Sequence, residues 1–155
     1  MRCRSVSLSC KGKINHLIRL PIFYKTRATA VGGRSGRTTL DDGSLALDMS
    51  PPGSGKAGAN PEQLFAMGYA ACFDNALPVA AKQLKLAPTA TRTSVEVGIG
   101  QTAEGGYALD IDLYVEVQGL SEADAHKLVE TTHQVCPYSN ATRGNVDVRL
   151  HTSVA

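Results

Sequence analysis

No apolar run in this 155-residue chain approaches the ~20 residues that a helix needs to cross a bilayer, which excludes an obvious membrane span and points to a soluble protein. Cysteine is scarce as well. Of the four present, Cys3 and Cys10 lie close to the N-terminus, so only Cys72 and Cys136 fall in the body of the chain, far too few for a secreted disulfide scaffold. Acidic residues are missing altogether from the first 22 positions, whereas five of the sixteen Lys and Arg residues are found there. The rest of the chain then carries eleven basic groups against all fourteen acidic ones. That mildly acidic balance argues against a nucleic-acid-binding surface on the folded part. Charged residues make up 19% of the chain and apolar ones 43%, a composition that buries a core and lies far from that of disordered segments. The length suits one domain, or one subunit of an oligomer whose core is partly shared.

Residues 1–22 read as an N-terminal extension, disordered or arising from a misassigned start, and residues 23–155 as the domain. The extension lacks the continuous apolar stretch of a secretory signal. Its Arg- and Ser-rich, acid-free composition is also that of a mitochondrial transit peptide, a minor alternative to the cytoplasmic location expected for the protein.

Within the domain, the pattern predicts a strand over Tyr24 to Val31, a turn at Gly32-Gly33-Arg34-Ser35-Gly36 and a hairpin about Asp41-Asp42-Gly43. Pro51 to Ala59 cannot continue a strand or a helix and must be a loop. Asn60 then opens a helix that runs to about Lys85: Asn at the cap, Pro61 at the first helical position, Glu62 beside the positive helix end and Gln63 three residues after the cap form a strong start signal. Pro78 lacks an N–H for the carbonyl of Asp74 and is expected to kink this helix. Alternation at Val95, Val97 and Ile99, and again from Leu109 to Val117, marks an antiparallel pair with one buried face. Ser121 caps a second helix that Pro137 stops, a loop follows from Tyr138 to Asn145, and Val146, Val148 and Leu150 alternate in a last strand. The order predicts an α+β domain with antiparallel sheet packed on two main helices.

A cysteine acts as a nucleophile only as thiolate, and its ordinary pKa of about 8.5 must be lowered by a cation, a hydrogen bond or a helix N-terminus. Cys72 lies some ten residues into its helix and receives no help from the helix dipole, so a side chain has to activate it. Arg34, Arg37 and Arg143 are the cations on nearby loops, and Glu62 is a carboxylate that could hold an Arg fork by a bidentate pair. Other uses of these residues carry less weight. His133 and Cys136 share a helix face, yet no second close pair completes a tetrahedral metal site with Cys72 or His126. A Cys–His hydrolase would need an oxyanion hole and an orienting residue that the sequence does not display.

Four segments together closely resemble the OsmC/Ohr family, and specifically its organic hydroperoxide resistance branch. They are Gly32-Gly33-Arg34-Ser35-Gly36-Arg37, Asn60-Pro61-Glu62-Gln63-Leu64-Phe65-Ala66, Gly68-Tyr69-Ala70-Ala71-Cys72-Phe73 and the long Val135-Cys136-Pro137-Tyr138-Ser139-Asn140-Ala141-Thr142-Arg143-Gly144-Asn145. The resemblance extends from about Tyr24 to the C-terminus. It implies an OsmC-like fold in an intertwined homodimer, a peroxidatic thiol at Cys72, a resolving thiol at Cys136, and an Arg34–Glu62 pair that activates the first. It also implies an organic hydroperoxide as substrate, dihydrolipoamide or lipoylated proteins as reductant, no bound cofactor or metal, and protection against oxidative stress. Phe65, Met67 and Phe73 are candidates to line the pocket for an organic tail. The main alternative is a redox sensor or lipophile-binding module that uses the same cysteines and turns over slowly.

Helix geometry adds an expectation of its own. Ten residues along one helix put Glu62 about 15 Å from Cys72 along the axis and roughly 80° around it, too far for both to serve one thiolate. If two such helices pack antiparallel about a dimer twofold, Glu62 of each subunit reaches Cys72 of its partner.

Overall fold

The structure, a computed structural model, describes residues 21–155. The extension up to Leu20, with Cys3 and Cys10, lies outside the described residues. Two three-stranded sheets and two main helices make up the architecture, in the order β1 (Ala28–Val31), β2 (Arg37–Leu40), β3 (Ala46–Asp48), α1 (Pro61–Leu84), β4 (Ala90–Gln101), β5 (Tyr107–Gln118), α2 (Glu122–Val135), a short α3 (Pro137–Thr142) and β6 (Val148–Val154).

The first sheet is an antiparallel meander, β1-β2-β3. The strand expected from Tyr24 is shorter than its pattern suggested, because Tyr24 to Arg27 find no partner strand and only Ala28 to Val31 pair, with Leu40 to Arg37. Between β1 and β2 a single 3-10 turn, Gly33–Ser35, brings the chain back sharply. Gly36 makes this possible: a Cβ there would stand 1.8 Å from the carbonyl oxygen of Val31. Side chains of this sheet are exposed or half-buried throughout.

In the second sheet, β4 and β5 form a long antiparallel hairpin, and β6 lies beside β5. Here the expectation of an antiparallel sheet fails at one pairing, since β6 runs parallel to β5, with Leu113 opposite Leu150. A parallel neighbour needs a crossover, and α2 and α3 supply it. The period-2 pattern of β5 lands as anticipated: Ile111, Leu113, Val115 and Val117 point inward and are buried, and they meet Tyr69, Phe73, Leu77 and Ala80 of α1 with Leu128 and Val129 of α2. Truncating the centre of this layer, Leu113→Ala, is expected to cost about 2–5 kcal/mol through lost burial and a residual cavity, read as a lower urea midpoint with an unchanged slope.

Helix α1 begins as its sequence dictates. Asn60 Oδ1 accepts from the Gln63 N–H at 2.8 Å while Gln63 Oε1 accepts from the Asn60 N–H at 2.9 Å, a complete capping box. It continues through Pro78 to Leu84 as one element and ends with Lys85 in the left-handed conformation. Averaged over its length, α1 is long and apolar enough to cross a membrane. Its Tyr69–Ala81 face, however, is packed into the protein core, and Glu62, Asp74 and Lys82 interrupt its length. Ser121 caps α2 by accepting from the Asp124 N–H. Pro137, expected to stop α2, does so and at once starts α3, because proline suits the first position of a new helix. The segment anticipated as loop is therefore helical as far as Thr142.

Candidate active site

Cys136 occupies the joint between α2 and α3, closing one helix and opening the next in extended conformation (φ −66°, ψ 125°). This bend turns its side chain inward, where it is fully buried. Cys72, in the middle of α1, is half-buried, and its Sγ lies 3.6 Å from that of Cys136 with both thiols free. Two thiols 64 residues apart in sequence are thus in contact.

Packing around the pair fixes it. Tyr69 lies on α1 one turn before Cys72, and its buried hydroxyl shares a hydrogen bond of 2.9 Å with Ser139 Oγ on α3, tying the two cysteine-bearing elements together. Phe65, Tyr69 and Tyr138 form an aromatic cluster with ring centroids 5.7–6.0 Å apart. The ring of Tyr138 can lie on α1 because residue 68 is glycine: a Cβ there would come within 3.0 Å of the Tyr138 hydroxyl. A cavity of about 380 Å³ adjoins this cluster, lined by Phe65, Leu109, Tyr138, Ala141, Thr142 and Val146 among others. Of the three residues expected near the reactive thiol, Phe65 lines this cavity, whose lining includes neither cysteine. Phe73 is fully buried in the core and unavailable to a ligand, and Met67 is 70% exposed on the outer face of α1.

Arg34 and Glu62 form a second group. Two parallel bonds, Nη1 to Oε2 at 2.7 Å and Nη2 to Oε1 at 2.5 Å, join the guanidinium fork to the carboxylate. The 3-10 turn carries the Arg and the first turn of α1 the Glu. The hydrogen bonds from Arg34 hold the Glu62 carboxyl below its usual range and raise the Arg34 guanidinium further. The other two cations are engaged elsewhere: Arg37 with Asp48 at 2.5 Å, and Arg143 with Asn140 Oδ1 at 2.7 Å and with the carbonyl of His133.

The four anticipated residues thus meet as two pairs and not as one cluster. With α1 unbroken from Pro61 to Leu84, the helical rise places Glu62 about 15 Å along the axis from Cys72 of the same chain. Burial pushes the Cys72 thiol up, a hydrogen bond from the Tyr138 backbone N–H opposes that rise, and the neighbouring Cys136 adds to it. Residues that sequence reasoning left without a role are Tyr69, Gly68, Tyr138 and Ser139. All four lie inside the quoted motifs, but only the packing of α3 on α1 reveals their task. Among the described residues, no group of three or more His, Cys, Asp or Glu side chains is placed to hold a metal ion.

The α+β domain thus brings two free thiols from distant parts of the chain into contact where α2 gives way to the short helix α3. The OsmC-like protein family matches residues 53–151, and the chain belongs to it, in the organic hydroperoxide resistance branch. It is 48% identical over 134 residues to the organic hydroperoxide resistance protein of Xanthomonas axonopodis pv. citri, spanning 83% of this chain and 94% of that one. The crystal structure of an organic hydroperoxide resistance protein from Elizabethkingia anophelis superposes with a TM-score of 0.80 at 44% identity, over 88% of this chain and all of the other. That of OhrB from Bacillus subtilis gives 0.79 at 40% identity, over 85% and all of the respective chains.

Proposed function

We propose that this protein is a thiol-dependent peroxidase that reduces organic hydroperoxides to alcohols and is recycled by a dihydrolipoyl dithiol. Membership of a family whose relatives are named for organic hydroperoxide resistance supports a role in hydroperoxide detoxification. The observation that carries the mechanism is the 3.6 Å contact between a half-buried thiol on α1 and a buried one at the α2–α3 joint. In the first step the Cys72 thiolate attacks the peroxide oxygen distal to the organic group. The O–O bond breaks, the alkoxide takes up a proton and leaves as alcohol, and Cys72 becomes a sulfenic acid. Cys136 then attacks the Cys72 sulfur, water leaves, and a disulfide forms. The dithiol reduces it, returning both thiols. No bound cofactor or metal enters this cycle.

A homodimer completes the proposal. Within one chain Glu62 stands about 15 Å along the helix axis from Cys72. Apolar side chains also stand exposed on α1 and just before the turn that carries Arg34, with Met67 at 70%, Val79 at 51% and Val31 at 72%. Pairing two α1 helices antiparallel covers such surface and brings Arg34 and Glu62 of each subunit to Cys72 of the other. The guanidinium then stabilises the thiolate that burial alone disfavours. The cytoplasmic location expected from the sequence belongs to this reading.

Steady-state turnover with dihydrolipoamide tests it against the sensor alternative. Cumene hydroperoxide is expected to be consumed over many cycles and faster than hydrogen peroxide at equal concentration. Burying about 100 Å² of apolar tail is worth about 2.5 kcal/mol, close to a hundredfold in rate when realised in the transition state. A single slow oxidation per chain would instead support a sensor, and equal rates for the two peroxides would remove the organic specificity.

A further inference from the structure

An incoming thiol can attack either sulfur of a disulfide, and the choice decides where the reductant becomes attached. We propose that the reductant attacks Cys72, so that the mixed disulfide forms there and Cys136 is the sulfur that leaves. This inference rests on the reading above that Cys72 and Cys136 form a disulfide and that a dithiol reduces it.

Exchange at sulfur requires the attacking atom to approach in line with the bond that breaks, from the far side of the sulfur attacked. Behind Cys136 there is no such approach. The residue is fully buried within the core formed by α1, α2 and β5. It is covered by α3, which the Tyr69–Ser139 hydrogen bond fastens to α1. Cys72 is only half-buried, so its sulfur keeps a partly open side that Cys136 lacks.

Leaving-group chemistry alone favours the opposite outcome, because the thiol with the lower pKa departs faster and Cys72 is the one an Arg would serve. Access outweighs it: attack on Cys136 needs α3 to lift from the core first, and such an opening reduces the reactive population by orders of magnitude.

The step balances as follows. One thiolate of the dithiol bonds to Cys72 Sγ, the Cys72–Cys136 bond breaks, and Cys136 departs with the electron pair and takes the proton of the dithiol's second thiol. That second sulfur then attacks the reductant sulfur held on Cys72, closes a cyclic disulfide and expels the Cys72 thiolate. Two electrons pass from dithiol to protein.

Full-length protein is oxidised with cumene hydroperoxide, and the disulfide is verified by intact mass. It is then treated with excess dihydrolipoamide methylated on one sulfur, which cannot close its ring, quenched in acid and digested with pepsin. The adduct is expected on the peptide that contains Cys72; an adduct on Cys136, or adducts shared between the two, overturns the proposal. If no disulfide appears on oxidation, the underlying cycle fails, which intact mass reports separately before any reductant is added.

A second measurement does not depend on the adduct surviving reclosure. A lipoamide-derived thiosulfonate is offered to the single-thiol variants Cys136→Ser and Cys72→Ser, and labelling of Cys72 in the former is expected to be roughly a hundredfold faster than labelling of Cys136 in the latter. Comparable rates would show that Cys136 is open to attack and would likewise overturn the assignment.

Discussion

Cys72→Ser is expected to abolish peroxide consumption, by roughly a thousandfold or more, while Cys136→Ser is expected to consume one equivalent and then stop. The asymmetry follows from where the two sulfurs sit. Cys72 is half-buried on α1 and can meet a substrate; Cys136 is sealed at the joint beneath α3 and can meet only Cys72. Serine at position 72 leaves no atom able to carry the transferred oxygen as a sulfenic acid. Serine at position 136 leaves that chemistry intact but removes the partner, so the sulfenic acid persists. It should be trapped by dimedone on the peptide containing Cys72, and further peroxide should drive it to the sulfinic acid, a product expected to be absent when Cys136 is present to condense with it. Turnover by Cys72→Ser, or dimedone labelling of Cys136 in the wild type, would refute the assignment of roles.

Mixing two inactive subunits should restore activity. A heterodimer of Cys72→Ser and Glu62→Ala, purified through distinct tags, is expected to recover about half of the wild-type activity per dimer, because one of its two sites combines an intact Cys72 with the intact Arg34–Glu62 pair of the neighbour. The bidentate bond between Arg34 and Glu62 makes the pair move as a unit, so losing the carboxylate releases the guanidinium as well. Each parent homodimer lacks one of the two requirements at both sites. The spacing along α1 motivates the test, since a Glu62 about 15 Å along the helix from Cys72 is too far to orient a group at its own thiol. A heterodimer as inactive as its parents would place Glu62 and Cys72 in the same site, or outside any shared one.

Much of this was legible before any coordinates. The start of α1 followed from Asn60, Pro61 and Gln63, because capping is local and the residues that satisfy it are neighbours in the chain. The buried face of β5 followed from alternation. The direction of β6 did not, since alternation tells which side chains point inward and is silent about which way a strand runs beside its neighbour. Nor did α3: Pro137 carries the same sequence signal whether a helix ends there or a new one begins, and the contacts of Ser139 and Tyr138 with α1 decide between them. The residues singled out from their motifs do meet, Cys72 with Cys136 and Arg34 with Glu62. Their division into two pairs rests on the unbroken first three turns of α1, which lie ahead of Pro78 and are unaffected by it. Phe73 was misplaced as a pocket residue because an apolar side chain next to a reactive one looks the same in sequence whether it faces the opening or the core.

The parallel seat of β6 carries a consequence for the order in which the molecule assembles. The β4–β5 hairpin joins residues close in sequence, with Gln101 opposite Tyr107, whereas β6 must return across α2 and α3 so that Val148 meets Ile111. Closing the longer loop costs more entropy and is repaid only once the intervening helices have docked. A chain emerging from the ribosome is therefore expected to pair the hairpin before its edge strand. Because the α2–α3 joint lies within that final crossover, a half-made molecule exposes Cys136 while it still lacks the enclosure that later shields it. Chaperoning and the reducing power of the surroundings matter most during that interval, and a nascent chain is more vulnerable to oxidative damage than the finished protein.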